Sequence, residues 1–563
     1  MLRFAFGACL VSLIASAAVN AAETDPAVLR GRAIKAHTAF LASDLLGGRE
    51  AGSKGYEIAA AYVASQFEAF GLEPAGDDGS YFQAVPLRRR SLEPDGVQFT
   101  LRMRGREMTL ENGVDIAVDA SPYVTEEVLE AELVFVGWGI TAPSLGFDDY
   151  AGLDVEGKAV VLIEGAPATF PGALRAHYSW TKEKERMAAA HGAIAVITLK
   201  SPTRERFSPF ELARQIRPMP SLAWTDPKAA AAQARPRATI TLSPELARKL
   251  FARVGRNIEE IYRYADAKPP RGFELPMTMR MLRKSRHEDT TSPNVLGVLP
   301  GTDPDLRDEY VVVAAHLDAF VGKPPNGDSI YNGAVDNAGG VATMLEVARA
   351  IQASGGARRS ILFFATTAEE KGLIGSDYFV EHPTVPLEKM VAAISVDGLM
   401  AFHDFAGIVS LGSEHSTLGE ISLAAARAIG AVHVPDPIPE RGNLALSDQY
   451  PFLRMGIPVL FPNPARGTTR AGTEDVADWD TYESRHYHQP SDDMHLPLRW
   501  DVAGRWGQYI EAVVRGMADA PTRPLWYEGD KLAEVFAPDA PRAPSPARAS
   551  HLSGAAGPVS NSR

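Results

Sequence analysis

Residues 361–376 read ILFFATTAEEKGLIGS: an apolar run gives way to Thr366 and Thr367, and then Glu369 and Glu370 stand side by side. The run does not alternate apolar with polar, so it reads as a strand buried on both faces. Three further stretches share that character: YVVVAAH (310–316), VAAISVDG (391–398) and IPVLFPN (457–463). Helical patterns separate them, for instance GGVATMLEVARAIQASGG (339–356). Unbroken Val/Ile/Leu/Phe runs between helices predict an α/β fold, a mostly parallel doubly wound sheet with helices on both faces.

In such a sheet ligands gather at the carboxyl ends of the strands. The residues just past each apolar run are therefore the candidates. His316 closes the first run and Asp318 stands two residues on; the two glutamates come after the second; Asp397 closes the third. GAVDNAGG (333–340) puts Asp336 at the start of a helix, and HYHQPSDD (486–493) puts His488 in a loop. Each has an ordinary structural explanation on its own. A histidine can end a strand, Asp336 can cap a helix, Asp397-Gly398 is a common turn pair, and paired glutamates suit a solvated helix start. Two histidines and three carboxylates on one sheet edge, with a glutamate and an aspartate to spare, do not arise from independent structural roles.

That inventory suits two divalent ions, each taking one histidine, one terminal carboxylate and one shared carboxylate. Imidazole and carboxylate without sulfur fit zinc, and cobalt or manganese could substitute. Two such ions can activate a bridging water for hydrolysis. Asp318, at i+2 from His316, emerges on the same side of the strand and can take the second imidazole N–H. Of the two glutamates, one can hold metal while the other accepts a proton; spacing does not say which.

The remainder of the chain sets the context. It has 563 residues, a formal net charge of −13 and a sequence pI near 5.6, which argues against a sequence-independent nucleic-acid binder. Arg3, the apolar stretch Phe4–Ala18 and the small residues around Ala21 form a secretory signal, with cleavage expected after Ala21. The stretch is shorter than the ~20 apolar residues of a membrane span. Cys9, the one cysteine, lies inside that signal, so the mature chain has no thiol to offer a metal. The expected location is periplasmic or extracellular, with no membrane attachment after cleavage.

Ile58, Tyr62, Val63, Phe67 and Phe70 fall on helical spacing, stopped by Gly71. From about Ala131 short β runs (AELVFVGWGI, KAVVLIEG, AIAVITL) and the helical run TKEKERMAAAHG predict a smaller α/β module. The expected organisation is a signal at 1–21, an N-terminal part of the main domain at 22–130, the module at 131–265, the main part at 286–520 and a disordered Pro/Ala/Ser-rich tail at 538–563.

The stretches AAHLD, NGAVDNAGG, ATTAEEKGLIGS, SVDG and YHQPSD, in this order, resemble the co-catalytic dizinc exopeptidases, a family that includes bacterial leucyl-type aminopeptidases, glutamate carboxypeptidase and the catalytically dead transferrin receptor. LASDLLGGREAGSKG (41–55) resembles that family's lead-in. Residues 134–165 resemble its inserted protease-associated domain. The resemblance implies two zinc ions, His316 and Asp397 on one, Glu370 and His488 on the other, and Asp336 bridging. It implies Glu369 as general base, Asp318 as the residue orienting His316, and Tyr487 as donor to the oxyanion. His486 competes with His488 as a ligand on spacing. Related members read HLDH where this chain has HLDAF, so Ala319 and Phe320 are expected to alter substrate contacts or packing.

The implied activity is peptide-bond hydrolysis at a chain end, as an aminopeptidase acting on peptides. Arg466, Arg470 and Arg485 near the last motif leave a carboxypeptidase open. A non-catalytic binding module and a glutaminyl cyclase are the other readings. The first would be marked by lost ligands, and the second by a missing histidine where His316 stands.

Overall fold

The computed structural model describes residues 25–546 except 218, 226–235, 267–269, 323–326, 470–471 and 474–476. The expected signal at 1–21 and residues 547–563 of the expected tail lie outside the described residues. In chain order the principal strands are β1 (Phe82–Met103), β2 (Glu126–Phe135), β3 (Ala159–Ile163), β4 (Ala195–Leu199), β5 (Ala238–Leu242), β6 (Phe273–Leu299), β7 (Tyr310–His316), β8 (Ser360–Thr366), β9 (Met390–Ser395), β10 (Gly407–Leu411) and β11 (Val459–Pro464). The helices that matter here are α1 (Pro26–Leu41), α2 (Lys54–Phe70), α3 (Gly172–Ser179), α4 (Thr181–Ala190), α5 (Gly339–Ala353), α6 (Gln449–Arg454) and α7 (Trp500–Ala518).

The apolar runs form the centre of the main sheet. β7 pairs parallel with β8 on one side and β9 on the other, and β9 pairs parallel with β11. β6 closes one flank and β10 the other, both antiparallel. Successive side chains of a strand point to opposite faces, and both faces here are covered. Val311, Val313 and Ala315 join a core with α1, α2, α5 and α7, whereas Val312 and Ala314 join a core with Phe379 and Phe452. Burial on both faces is why these strands carry no polar alternation. The α/β class and doubly wound character read from the sequence hold.

Helix α2 forms where expected, with Val63 and Phe67 on its buried face and Tyr62 and Phe70 packed partly buried against the same core. Ser53 caps its start and Gly71, at φ +79°, ends it. Tyr56, Ala59, Ala60, Val63, Ala64 and Phe67 are buried, while Ile58 is exposed. Small alanines beside Val63 and Phe67 bring the helix close to the sheet, and of the residues on helical spacing Ile58 faces outward.

The long ribbon of β1 and β6 was not legible in the sequence. These strands pair antiparallel from Phe82↔Val295 to Arg102↔Thr278, with an irregularity between Arg283 and Ser285. One end of β6 pairs with β8 and the other with β2, so a single strand continues the main sheet into the sheet of a second lobe. There β2, β3, β4 and β5 run parallel in that order. Helices α3 and α4 lay this lobe against the main one. His177 Nδ1 lies 2.7 Å from the Tyr450 hydroxyl, and Trp180 meets the Tyr450 ring edge-on at 4.9 Å. Lys182 Nζ donates to the Gly372 carbonyl at 2.6 Å and to Asp377 Oδ2 at 3.1 Å.

Residues 538–546, expected to be structureless, are held. The Arg542 guanidinium donates to the carbonyls of Ala533 and Ala537 at 3.2 and 2.6 Å, and Arg542–Ala543 pairs with Trp526–Tyr527.

Candidate metal centre

His316 is the last residue of β7 and is almost fully buried. Its Nδ1 lies 3.1 Å from the backbone carbonyl of Asp318. A carbonyl only accepts, so Nδ1 carries the proton and Nε2 faces the site. Nε2 stands 3.0 Å from Asp336 Oδ1 and 3.2 Å from Asp397 Oδ1. On the other side His488 Nε2 stands 3.3 Å from Asp336 Oδ2 and 3.2 Å from Glu370 Oε2. Asp336 thus turns one oxygen to each histidine. The cluster resolves into two triads that share it: His316/Asp336/Asp397 and Asp336/Glu370/His488, ligand atoms within 4.8 Å of one another. A third group, His316/Glu369/Glu370, overlaps both.

The electrostatics show how strongly this pocket favours positive charge. Burial works against a charge on His316, but Asp397 and then Glu369 outweigh it and raise its pKa well above the usual range. Burial likewise opposes a charge on His488, and Glu370 and Asp336 push it up to about 10. Burial, with Asp397 and Glu370 nearby, raises Glu369 well above an ordinary carboxylate. Glu370 Oε1 is buried with no hydrogen-bond partner among the described residues. Unpaired buried carboxylate oxygens are costly, and dications held by the two triads would satisfy them. Two nitrogens and several oxygens without sulfur fit zinc.

The backbone around these groups is forced. Ala368 (φ +53°) and Leu373 (φ +60°) flank the turn that carries both glutamates, and His488 itself sits at φ +58°. Left-handed conformation costs a non-glycine residue on the order of 1–2 kcal/mol, and the surrounding hydrogen bonds offset it. The Asp318 carboxylate accepts the backbone N–H of Glu369 at 3.0 Å and of Glu370 at 3.3 Å. This corrects one expectation. The Asp318 carboxylate is 3.9 Å from His316 Nδ1, and it is the Asp318 carbonyl that takes the imidazole proton. Asp336 departs from a helix cap, since it lies in a separate turn, Ala334–Ala338, ahead of α5.

Two further residues complete the support and were missed in the sequence. Asp492 accepts the backbone N–H of Val335 and of Asp336, at 2.9 and 3.0 Å, fixing the bridging aspartate from behind. Arg49 is fully buried beneath the cluster. Its guanidinium donates to the carbonyls of Leu41 (2.6 Å), Leu317 (2.9 Å), Gly333 (3.0 Å) and Asn332. Burial lowers it to about 10, against the pull of Asp492, Asp318, Asp336 and Glu370. A lone arginine inside the glycine-rich GGREAG was the available signal.

Tyr487 stacks on the His488 ring at 3.8 Å. Phe320 stacks on it too, 4.4 Å away and parallel to within 3°. The departure at Phe320 is therefore a packing contact on His488. His486 lies outside both triads and bonds Ser491 Oγ through Nδ1 at 2.8 Å. Arg466 is engaged by Asp480 and Glu483, Arg485 is exposed, and Arg470 is outside the described residues.

Residues 294–514 match the sequence profile of Peptidase family M28. The mouse protein "Aminopeptidase NAALADL1" is 37% identical over 135 residues, 23% of this chain and 16% of that protein. The "Glutamate carboxypeptidase 2 homolog" of Caenorhabditis briggsae is 30% identical over 271 residues, 41% of this chain and 31% of the relative. The match thus spans less than a third of either relative's length. Among solved structures, "Aminopeptidase from Aneurinibacillus sp. strain AM-1" superposes with a TM-score of 0.50 at 18% identity, covering 88% of this chain and 97% of that one, and so shares the fold. Segment 294–514, which carries both histidines and every carboxylate of the cluster, is thus the part of the chain that matches peptidase family M28.

Proposed function

We propose that this protein is an exported dizinc exopeptidase that removes residues from the amino end of peptides. The observation that carries the reading is Asp336, with one oxygen toward His316 and the other toward His488. His316 and Asp397 would hold one zinc, His488 and Glu370 the other, with Asp336 between them. When bound, two such ions lower the pKa of a water and polarise a carbonyl. Glu369, not needed as a ligand in either triad, takes the proton of the attacking water and delivers it to the departing amine. The Tyr487 hydroxyl donates to the oxygen that gains charge. Residues 131–265 would be the inserted protease-associated domain, and residues 1–21 the export signal. No helix among the described residues is long and apolar enough to cross a membrane.

The test is hydrolysis of leucine 4-nitroanilide by purified protein, its loss to a chelator and its return with zinc, alongside metal content. Two zinc ions per chain and cleavage of free-amine substrates are expected. Cleavage of N-blocked peptides alone makes the protein a carboxypeptidase. One ion per chain with cyclisation of N-terminal glutamine makes it a glutaminyl cyclase. A folded protein that takes up no metal leaves a binding module.

A further inference from the structure

Lys371 directly adjoins the two glutamates, on the turn closed by Gly372 (φ +97°) and Leu373 (φ +60°). Its Nζ lies 5.5 Å from the centroid of the Phe320 ring, the ring that stacks on His488. It also lines a cleft of about 260 Å³ between the two lobes, together with Trp180, Lys182, Trp224 and Asp377. Other cations along that cleft are engaged. Lys182 and Arg454 share the Asp377 carboxylate, Arg186 pairs with Glu183, and Arg237 and Arg283 pair with Glu127. Lys371 has no carboxylate partner among the described residues.

Position gives this ammonium a use. The group that returns a proton to the departing amine stands on the departing side of the scissile bond, and Glu369 is two residues from Lys371 on one short turn. The face of Phe320 holds the ammonium near the site while leaving its N–H donors free. We infer that Lys371, backed by Phe320, is the specificity-determining cation that holds a carboxylate on the released part of the substrate. This rests on the peptidase reading and narrows it to short peptides whose released portion carries a free carboxylate. That carboxylate is either the chain's C-terminus or an aspartate or glutamate side chain.

The test uses the zinc-loaded full chain and compares kcat/KM for Leu-Ala, Leu-Ala-amide and Leu-Glu-amide. A charge-assisted contact predicts that Leu-Ala exceeds Leu-Ala-amide by about tenfold or more. Leu-Glu-amide also exceeding Leu-Ala-amide assigns the subsite to side-chain carboxylates as well; if it does not, the subsite is for the C-terminus. Lys371→Gln should collapse the ratio towards one, Lys371→Glu should invert it, and Lys371→Arg should keep it. Equal rates on all three substrates, or a ratio unchanged in Lys371→Gln and Lys371→Glu, overturn the inference while leaving the peptidase reading intact. Cleavage of none of them by the wild-type protein overturns both.

Discussion

The Asp318 carboxylate spans the backbone N–H groups of Glu369 and Glu370, at 3.0 and 3.3 Å, so one side chain from the end of β7 fixes the turn at the end of β8. Neighbouring glutamates repel, and without that clamp the turn would be free to separate them. Asp318→Asn keeps one acceptor oxygen but presents an NH₂ to an N–H. The expected outcome is a loss of activity of about 10–100-fold, the range for residues that support metal ligands, with His316 still held by the carbonyl of residue 318. Measured kcat and zinc content would check this; a variant within twofold of wild type in both would remove the clamp from the mechanism.

Glu369→Gln preserves the shape of the turn and removes the proton acceptor. Turnover of a free-amine substrate should fall by about 10²–10⁴-fold, while two zinc ions per chain remain. Glu370→Gln should instead lower zinc content, because Glu370 faces His488 and has a buried oxygen with no other partner among the described residues. Similar behaviour of the two variants would exchange or merge their roles.

The difference between these glutamates shows what a sequence can and cannot disclose. His316, Asp397 and the two glutamates follow apolar runs, so the sheet edge that gathers them was readable from the run ends, whereas His488 comes from a loop and Asp336 from a turn ahead of a helix. The parts that escaped act through the backbone. Arg49 meets carbonyls, Asp492 meets amides, and the Asp318 carboxylate meets amides rather than the imidazole. Such partners are set by local backbone conformation, which leaves no spacing pattern. The β1–β6 ribbon escaped for another reason. Arg88, Arg89 and Arg90 sit on β1 opposite Asp289, Glu288 and His287, so its polar surface masked a strand built around Val85 and Leu87.

Arg49 should be needed for stability rather than chemistry. Its removal takes a donor from the carbonyls of Leu41, Leu317, Asn332 and Gly333, of which Gly333 keeps the Ala338 N–H, beneath a cluster of carboxylates. Breaking a buried charge network typically costs on the order of 3–5 kcal/mol. Arg49→Met should lower the thermal midpoint by several degrees, and Arg49→Lys should recover little, because an ammonium lacks the planar fork that reaches all four acceptors. A midpoint unchanged in Arg49→Met would show that the acceptors find other partners.

His177 gives the contact between the lobes a defined pH window. It sits on α3, buried against α6, with Tyr450 on Nδ1 at 2.7 Å and Glu183 3.5 Å from Nε2. Burial lowers its pKa to about 4; Glu183 pulls it up, and Arg186 and Arg454 push it further down. The folded-state value lies below the unfolded value near 6.5, so folding favours the neutral imidazole. Its contribution is therefore fully present above pH 6.5 and is lost as pH falls through 6.5 towards 4, by up to about 3 kcal/mol. Substitution by glutamine, which does not titrate, should lower stability at pH 7 through lost packing yet flatten the fall between pH 6.5 and 4. Thermal midpoints of wild type and His177→Gln, tracked across that range, should therefore converge as the pH drops. Curves that stay parallel would place the acid sensitivity in other groups and leave His177 a packing residue only.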